Sequence, residues 1–147
     1  MPRRPDGKPY PFVMNYPHTK WGIHSAYRNN KWLMRLQRGD VYLYLNPKVM
    51  AERGIKDMDM VRVYNHMGEW FARAKEWPGN PPYIVFTEHG WDHFMTKNWT
   101  HYNNLNCEFL NPLELAGGTR GHIVYTGNHT SNRIYYETGV DIEKVEG

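Results

Sequence analysis

The sequence holds a single cysteine, Cys107, in 147 residues. One thiol excludes an internal disulfide and every paired-cysteine metal or redox motif. No apolar run approaches the roughly 18 residues that a spanning helix needs, and the proline-rich start "MPRRPDGKPYPF" lacks the apolar stretch of a secretory signal. No direct membrane insertion is expected. There is also no large excess of charge of one sign: the net charge is +3, with bases scattered among acids except in "KWLMRLQR" at 31–38. A nucleic-acid footprint is usually more basic and more clustered, so a discrete anionic ligand fits better than a polyanion. Internal repeats and low-complexity tracts are missing as well.

What is there suffices for one core. Forty per cent of the residues are apolar and 15% aromatic, in a chain of about single-domain length. Residues 1–11, with four prolines, read as an arm, and 12–147 as one domain. "FVMNY" is a strand candidate, and "NKWLMRLQRG" a short helix ending at Gly39. "DVYLYLNP" is a β-branched and aromatic strand stopped by Asn46-Pro47. In "NPKVMAERG" Asn46 can cap, Pro47 suits the first helical position and Gly54 the left-handed exit. "MVRVY", "NHMG" and "EWFARAK" spell a hairpin, and "YIVFTEHGW" another strand. Residues 92–122 are rich in Asn, Gly and His and poor in periodicity, which reads as a long irregular segment of the kind that is usually functional or disordered. "HIVYTG" and "RIYYETGVDIEKV" supply the last strands. The sum is a mainly β domain with one or two short helices and closed or nearly closed pairing, a small barrel.

Several groups can carry chemistry. In "YPHTKWGIHS", His18 and His24 stand six apart, an even spacing that shares one face of an extended strand. By spacing alone, one surface and one satisfied structural histidine is the more ordinary reading. Ser25 and Arg28 follow, a hydroxyl and a guanidinium suited to phosphate or ribose oxygens, beside Tyr27 and Asn29. An ordinary polar loop is the alternative. "HGWDH" places His89 and His93 at a spacing that shares a helical face and suits zinc, but Gly90 and the preceding strand argue against a helix there. Glu114 and Glu137 have no carboxylate partner by spacing and read as surface groups. Gly117 and Gly118 permit close backbone approach or a plain turn. Two further readings stay open: a single-stranded nucleic-acid module stacking bases on Trp32, Trp70 and Trp77, and a His-rich zinc protein.

Three motifs point to a family. "GIKDMDMVRVYNHMGEWFARA" resembles the strand-turn-strand signature of the C-terminal dinucleotide-binding domain of molybdopterin oxidoreductases, the dimethyl-sulfoxide-reductase superfamily. Met58 stands where glycine is usual, which implies a less tight turn before Asp59. "PHTKWGIHSAYRNNKWLMRLQRG" is similar to the segment opening that domain in nitrate reductase and nitrite oxidoreductase alpha subunits and in related selenate, chlorate and ethylbenzene enzymes. "HGW" followed by "NPLELAGG" is similar to the end of the same group, although "AGGTRGH" has Thr119 and Arg120 where many relatives have Tyr before Gly-His. The resemblance runs from about Tyr10 to Val145.

It implies a six-stranded double-psi β-barrel and binding of molybdopterin guanine dinucleotide, as half of a bis-dinucleotide (bis-MGD) cofactor carrying Mo or W. His18, His24, Ser25 and Arg28 would then face the cofactor, with Asn104, Asn111, Gly118 and His122 in its wall. Asn106 is a further candidate in the same loop. The metal's protein ligand would lie in an earlier domain, leaving Cys107 a packed free thiol. The chain alone would be inactive. Its partners would be the remaining domains of a catalytic subunit and an iron–sulfur electron-transfer subunit.

Overall fold

The computed structural model describes residues 3–36, 39–106 and 138–145. Asn111, Gly118, His122, Cys107, Glu114, Glu137, the "AGGTRGH" stretch and the strand expected at "HIVYTG" lie outside them. Six strands are described: β1 (Phe12–Asn15), β2 (Tyr42–Leu45), β3 (Met60–Tyr64), β4 (Glu69–Glu76), β5 (Ile84–Phe86) and β6 (Thr138–Lys144). They close into a barrel in the order β1-β5-β2-β4-β3-β6. Pairing is mixed: β1 with β5 and β2 with β4 are parallel, the other four pairs antiparallel. This is the closed six-stranded barrel that the resemblance implied. Closure leaves no strand edge among the six unpaired.

Alternation along the strands fills the interior. Met14, Leu43, Leu45, Val61, Val63, Trp70, Val85, Val140 and Ile142 are sealed from solvent. Each such side chain contributes about 1.5–3 kcal/mol of apolar burial. Two short helices accompany the barrel, α1 (Lys31–Leu36) and α2 (Pro47–Glu52). At α2 the Asn46 side chain accepts from the Lys48 amide, Pro47 opens the first turn and Gly54 leaves at φ +64°. In α1 the Asn30 Oδ1 accepts from the Trp32 and Leu33 amides, yet no residue of the helix is buried. Residues 92–106 form three 3-10 turns, in place of the unbroken irregular segment expected. The N-terminal arm folds back through an Arg3–Pro9 bridge, and Arg4 Nη1 reaches the Asp141 carboxylate at 3.0 Å.

The signature turn before β3 is held by its two aspartates. Asp57 accepts from the Glu76 amide and the Lys75 ammonium, and Asp59 from the Lys56 amide and the Lys144 ammonium. These bonds favour the charged carboxylates: the Glu76 amide chiefly holds Asp57 below its usual range, and the Lys144 ammonium does so for Asp59. The turn stays tight despite Met58. Its amide donates to the Ala74 carbonyl at 2.8 Å, and its backbone takes up the left-handed conformation at φ +71°. That conformation costs an L-residue about 1–2 kcal/mol, partly offset by the extra freedom glycine has when unfolded. Met58→Gly should therefore raise stability by about 0.5–1 kcal/mol, read as a higher urea midpoint at unchanged slope. An unchanged or lower midpoint would show that Met58 carries no strain.

Candidate functional site

Parallel pairing of β1 and β5 creates the site. Val13 lies opposite Ile84 and Asn15 opposite Phe86, an offset of 71 residues (84 − 13). The pairing continues past both strands, the Thr87 amide donating to the Asn15 carbonyl and the His89 amide to the Pro17 carbonyl, each at 3.1 Å. The same offset carried on sets His18 beside His89. Their rings meet edge to face with centroids 4.4 Å apart. The chain after His18 then curls back so that His24, itself left-handed at φ +49°, joins the pair, and a second left-handed residue, Tyr27 (φ +63°), follows it. His24 Nδ1 lies 2.7 Å from His89 Nε2, and the His18 and His24 centroids are 5.1 Å apart. One potential ligating nitrogen from each of the three rings falls within 4.8 Å of the others.

The hydrogen bonds fix a tautomer. His89 Nδ1 lies 3.1 Å from the Pro17 carbonyl, which can only accept, so Nδ1 carries the proton. In the neutral ring the Nε2 lone pair then faces His24. Partial burial, chiefly, and the two neighbouring imidazoles push the His89 pKa below its ordinary value, which favours that neutral ring.

Arg28 clips the loop in place. Only 5% exposed, it donates from Nε to the His24 carbonyl at 3.1 Å and from Nη2 to the His89 carbonyl at 3.0 Å. Its guanidinium lies 3.8 Å from the centroid of buried Trp91, a cation–π contact. Burial pulls the guanidinium below its ordinary pKa. Gly90 makes the clip possible. At φ +96° it passes so close to the loop that a Cβ would stand 2.2 Å from the His24 carbonyl oxygen.

Beside the triad opens a cavity of about 570 Å³, lined by His18 and Lys20 from the loop, Asn15, Asn80 and Glu88, and an aromatic wall. In that wall Tyr44 stacks on Phe86 at 4.5 Å and 12°, and Trp77 stands perpendicular to Tyr44 at 5.5 Å. Burial, reinforced by Glu88, pushes the Tyr44 phenol up to about 12, so it remains a neutral O–H. The size suits a small-molecule or cofactor pocket, and the lining joins flat apolar faces to a few polar groups.

Of the residues singled out by sequence, the structure brings His18 and His24 together, with Ser25 exposed on the same loop and Arg28 beneath it. Asn104 lies elsewhere, its carbonyl against Gly68 in the β3–β4 turn. Asn106 is buried and accepts from the Tyr16 and Thr138 hydroxyls. His93 does not join His89. It bonds the Trp99 carbonyl through Nδ1 and packs on His101. Of the three tryptophans considered for base stacking, Trp70 is wholly enclosed, Trp77 walls the cavity and Trp32 is exposed on α1. Sequence reading missed His89 as the third member of the cluster and Tyr44, Phe86, Lys20 and Glu88 as cavity lining. The available signal was that "FVMNYPH" and "YIVFTEH" both run from a strand to a histidine, which parallel pairing sets side by side.

Residues 12–119 match the family model described as the molydopterin dinucleotide binding domain. The chain belongs to that family. Among the proteins similar to this dinucleotide-binding domain is the chlorate reductase subunit alpha of Ideonella dechloratans, 54% identical over 93% of this chain and 15% of that subunit. The dimethylsulfide dehydrogenase subunit alpha of Rhodovulum sulfidophilum is 42% identical over 94% of the chain and 15% of that subunit. The respiratory nitrate reductase subunit alpha of Haloferax mediterranei is 37% identical over 75% and 11%. The chain thus spans a small fraction of these relatives' length. In fold it is similar to the solved acetylene hydratase of Pelobacter acetylenicus, at a TM-score of 0.62 and 14% identity over 92% of this chain and 18% of that one.

Proposed function

We propose that this dinucleotide-binding domain holds molybdopterin guanine dinucleotide, as one half of a bis-MGD cofactor, within the catalytic subunit of a molybdenum or tungsten oxidoreductase. The observation that carries this reading is the aromatic-walled cavity where β1 and β5 leave the barrel, which His18 lines and beside which His24 packs on His18. The residues present fit the group. Tyr44, Phe86 and Trp77 offer faces to a flat heterocycle, Asn15 and Asn80 lie in the lining for its amide edge, and Lys20 supplies a cation for pyrophosphate. His18 and His24 offer ring N–H groups or lone pairs to the pterin, and Ser25 a hydroxyl on the same loop. Asn111, Gly118 and His122 are assigned to the same wall through the family resemblance.

The bound group supplies a metal centre for oxygen-atom or electron transfer. This chain's own residues bind and orient it, and the parallel strands keep the imidazoles fixed while they do so. The remaining domains and an iron–sulfur subunit complete the enzyme in this reading. Trp21, Ile23, Tyr27, Trp32 and Leu36, all exposed within residues 20–36, offer an apolar face on which those domains can pack. Calorimetry with molybdopterin guanine dinucleotide released from another molybdoenzyme tests the proposal. Binding should weaken by about tenfold or more in His18→Ala and in His24→Ala, the loss of one charge-assisted or buried hydrogen bond. Equal binding by the parent chain and both variants would remove the imidazoles from the site.

A further inference from the structure

We propose that His18, His24 and His89 bind one divalent transition-metal ion in the cofactor-free chain, through three imidazole nitrogens with a fourth coordination position open. This inference stands apart from the dinucleotide reading, although two of the imidazoles serve both. Three histidines with ligating nitrogens within 4.8 Å of one another are an unusual concentration of borderline donors, and among the described residues no carboxylate or thiolate joins them. Imidazole sets of this kind suit zinc, nickel and copper rather than magnesium or calcium.

The surroundings are those of a built site. The bond from His89 Nδ1–H to the Pro17 carbonyl is the outer-sphere contact that ordinarily orients a ligating imidazole, and it leaves Nε2 free to coordinate. Both flanking carbonyls, of His24 and His89, are held by one buried guanidinium, so the backbone is already fixed. Tetrahedral bonds of about 2.0–2.1 Å set nitrogens about 3.3 Å apart. The 2.7 Å pair of His24 and His89 must open by about 0.6 Å, and the His18 nitrogen, within 4.8 Å of the others, must close to the same spacing, both by turns of exposed rings. The ion takes the place of the proton those two nitrogens share, and His24 passes to its Nε2–H tautomer. His93 is excluded, because its Nδ1 faces the Trp99 carbonyl and its ring lies on His101.

The test titrates the chelator-stripped chain with zinc chloride by calorimetry and with cobalt(II) by visible absorption. One equivalent should bind, and cobalt should give the intense d–d bands of four-coordination. His89→Ala, which alters no residue assigned to the dinucleotide, should weaken zinc by about tenfold or more, whereas His93→Ala should leave it unchanged. His18→Ala serves as the second variant, since its ring is exposed and a thermal melt will show whether either protein has lost its fold. Failure of zinc to bind at one equivalent, or binding undiminished in folded His89→Ala and His18→Ala, would overturn the proposal. Either result leaves the dinucleotide reading intact, and loss of dinucleotide binding with zinc retained would do the reverse.

Discussion

Gly90→Ala should lower stability by about 2–4 kcal/mol, a fall of roughly 6–12 °C in melting midpoint for a domain of this size, and should abolish ligand binding at the triad. Two effects add. The backbone at φ +96° is one that L side chains rarely adopt, and the new methyl carbon would stand 2.2 Å from the His24 carbonyl oxygen and 2.9 Å from the Ser25 amide nitrogen. Neither atom belongs to a side chain that can rotate away, so the loop carrying His24 must leave His89. Gly54→Ala separates the two causes. Gly54 has φ +64° but open space where its Cβ would stand, so its loss should cost about 1 kcal/mol and leave the triad unaffected. Equal costs at both positions would mean that the close approach to His24 contributes nothing.

Arg28→Met should cost about 2–4 kcal/mol in urea unfolding, and Arg28→Lys about 1–2 kcal/mol. Methionine keeps a long stem over Trp91 but leaves the His24 and His89 carbonyls without their donors. Lysine keeps the charge, yet a single ammonium cannot reproduce the planar fork that reaches both oxygens while stacked on an indole. In both variants the two histidine segments lose their common tie, so affinity at the triad should fall even at temperatures where the barrel is fully folded. A variant with normal stability and normal affinity would show that Arg28 is not the clip.

Local signals explain what the sequence made legible. The Asn46 cap, Pro47 and Gly54 delimit α2 within nine residues, and the alternation of Val61 and Val63 against Trp70, Ala72 and Ala74 spells out the β3–β4 hairpin. The family resemblance supplied the strand count and the importance of His18 and His24. What failed to show was register. His18 and His89 meet only because β1 and β5 run parallel at an offset of 71 residues, and no local pattern encodes that number. Sequence spacing paired His89 with His93 instead, and Gly90 at φ +96° turns the chain so that those two rings part. The strand expected over "YIVFTEHGW" is reduced to Ile84–Phe86 for the same reason, since the chain leaves the barrel there to form the site. Arg28 read as a phosphate ligand in sequence because nothing local reveals which carbonyls a buried guanidinium will meet.

The central claim, that His18 and His24 sit where the dinucleotide binds, is open to a direct measurement: histidine side-chain chemical shifts recorded as molybdopterin guanine dinucleotide is added. The rings of His18, His24 and His89 should shift together and saturate at one equivalent. His66, beside Tyr10 on the β3–β4 turn, and His101, buried against Tyr102, should stay where they are. Saturable binding that moves His66 or His101 while the triad remains still would contradict the account.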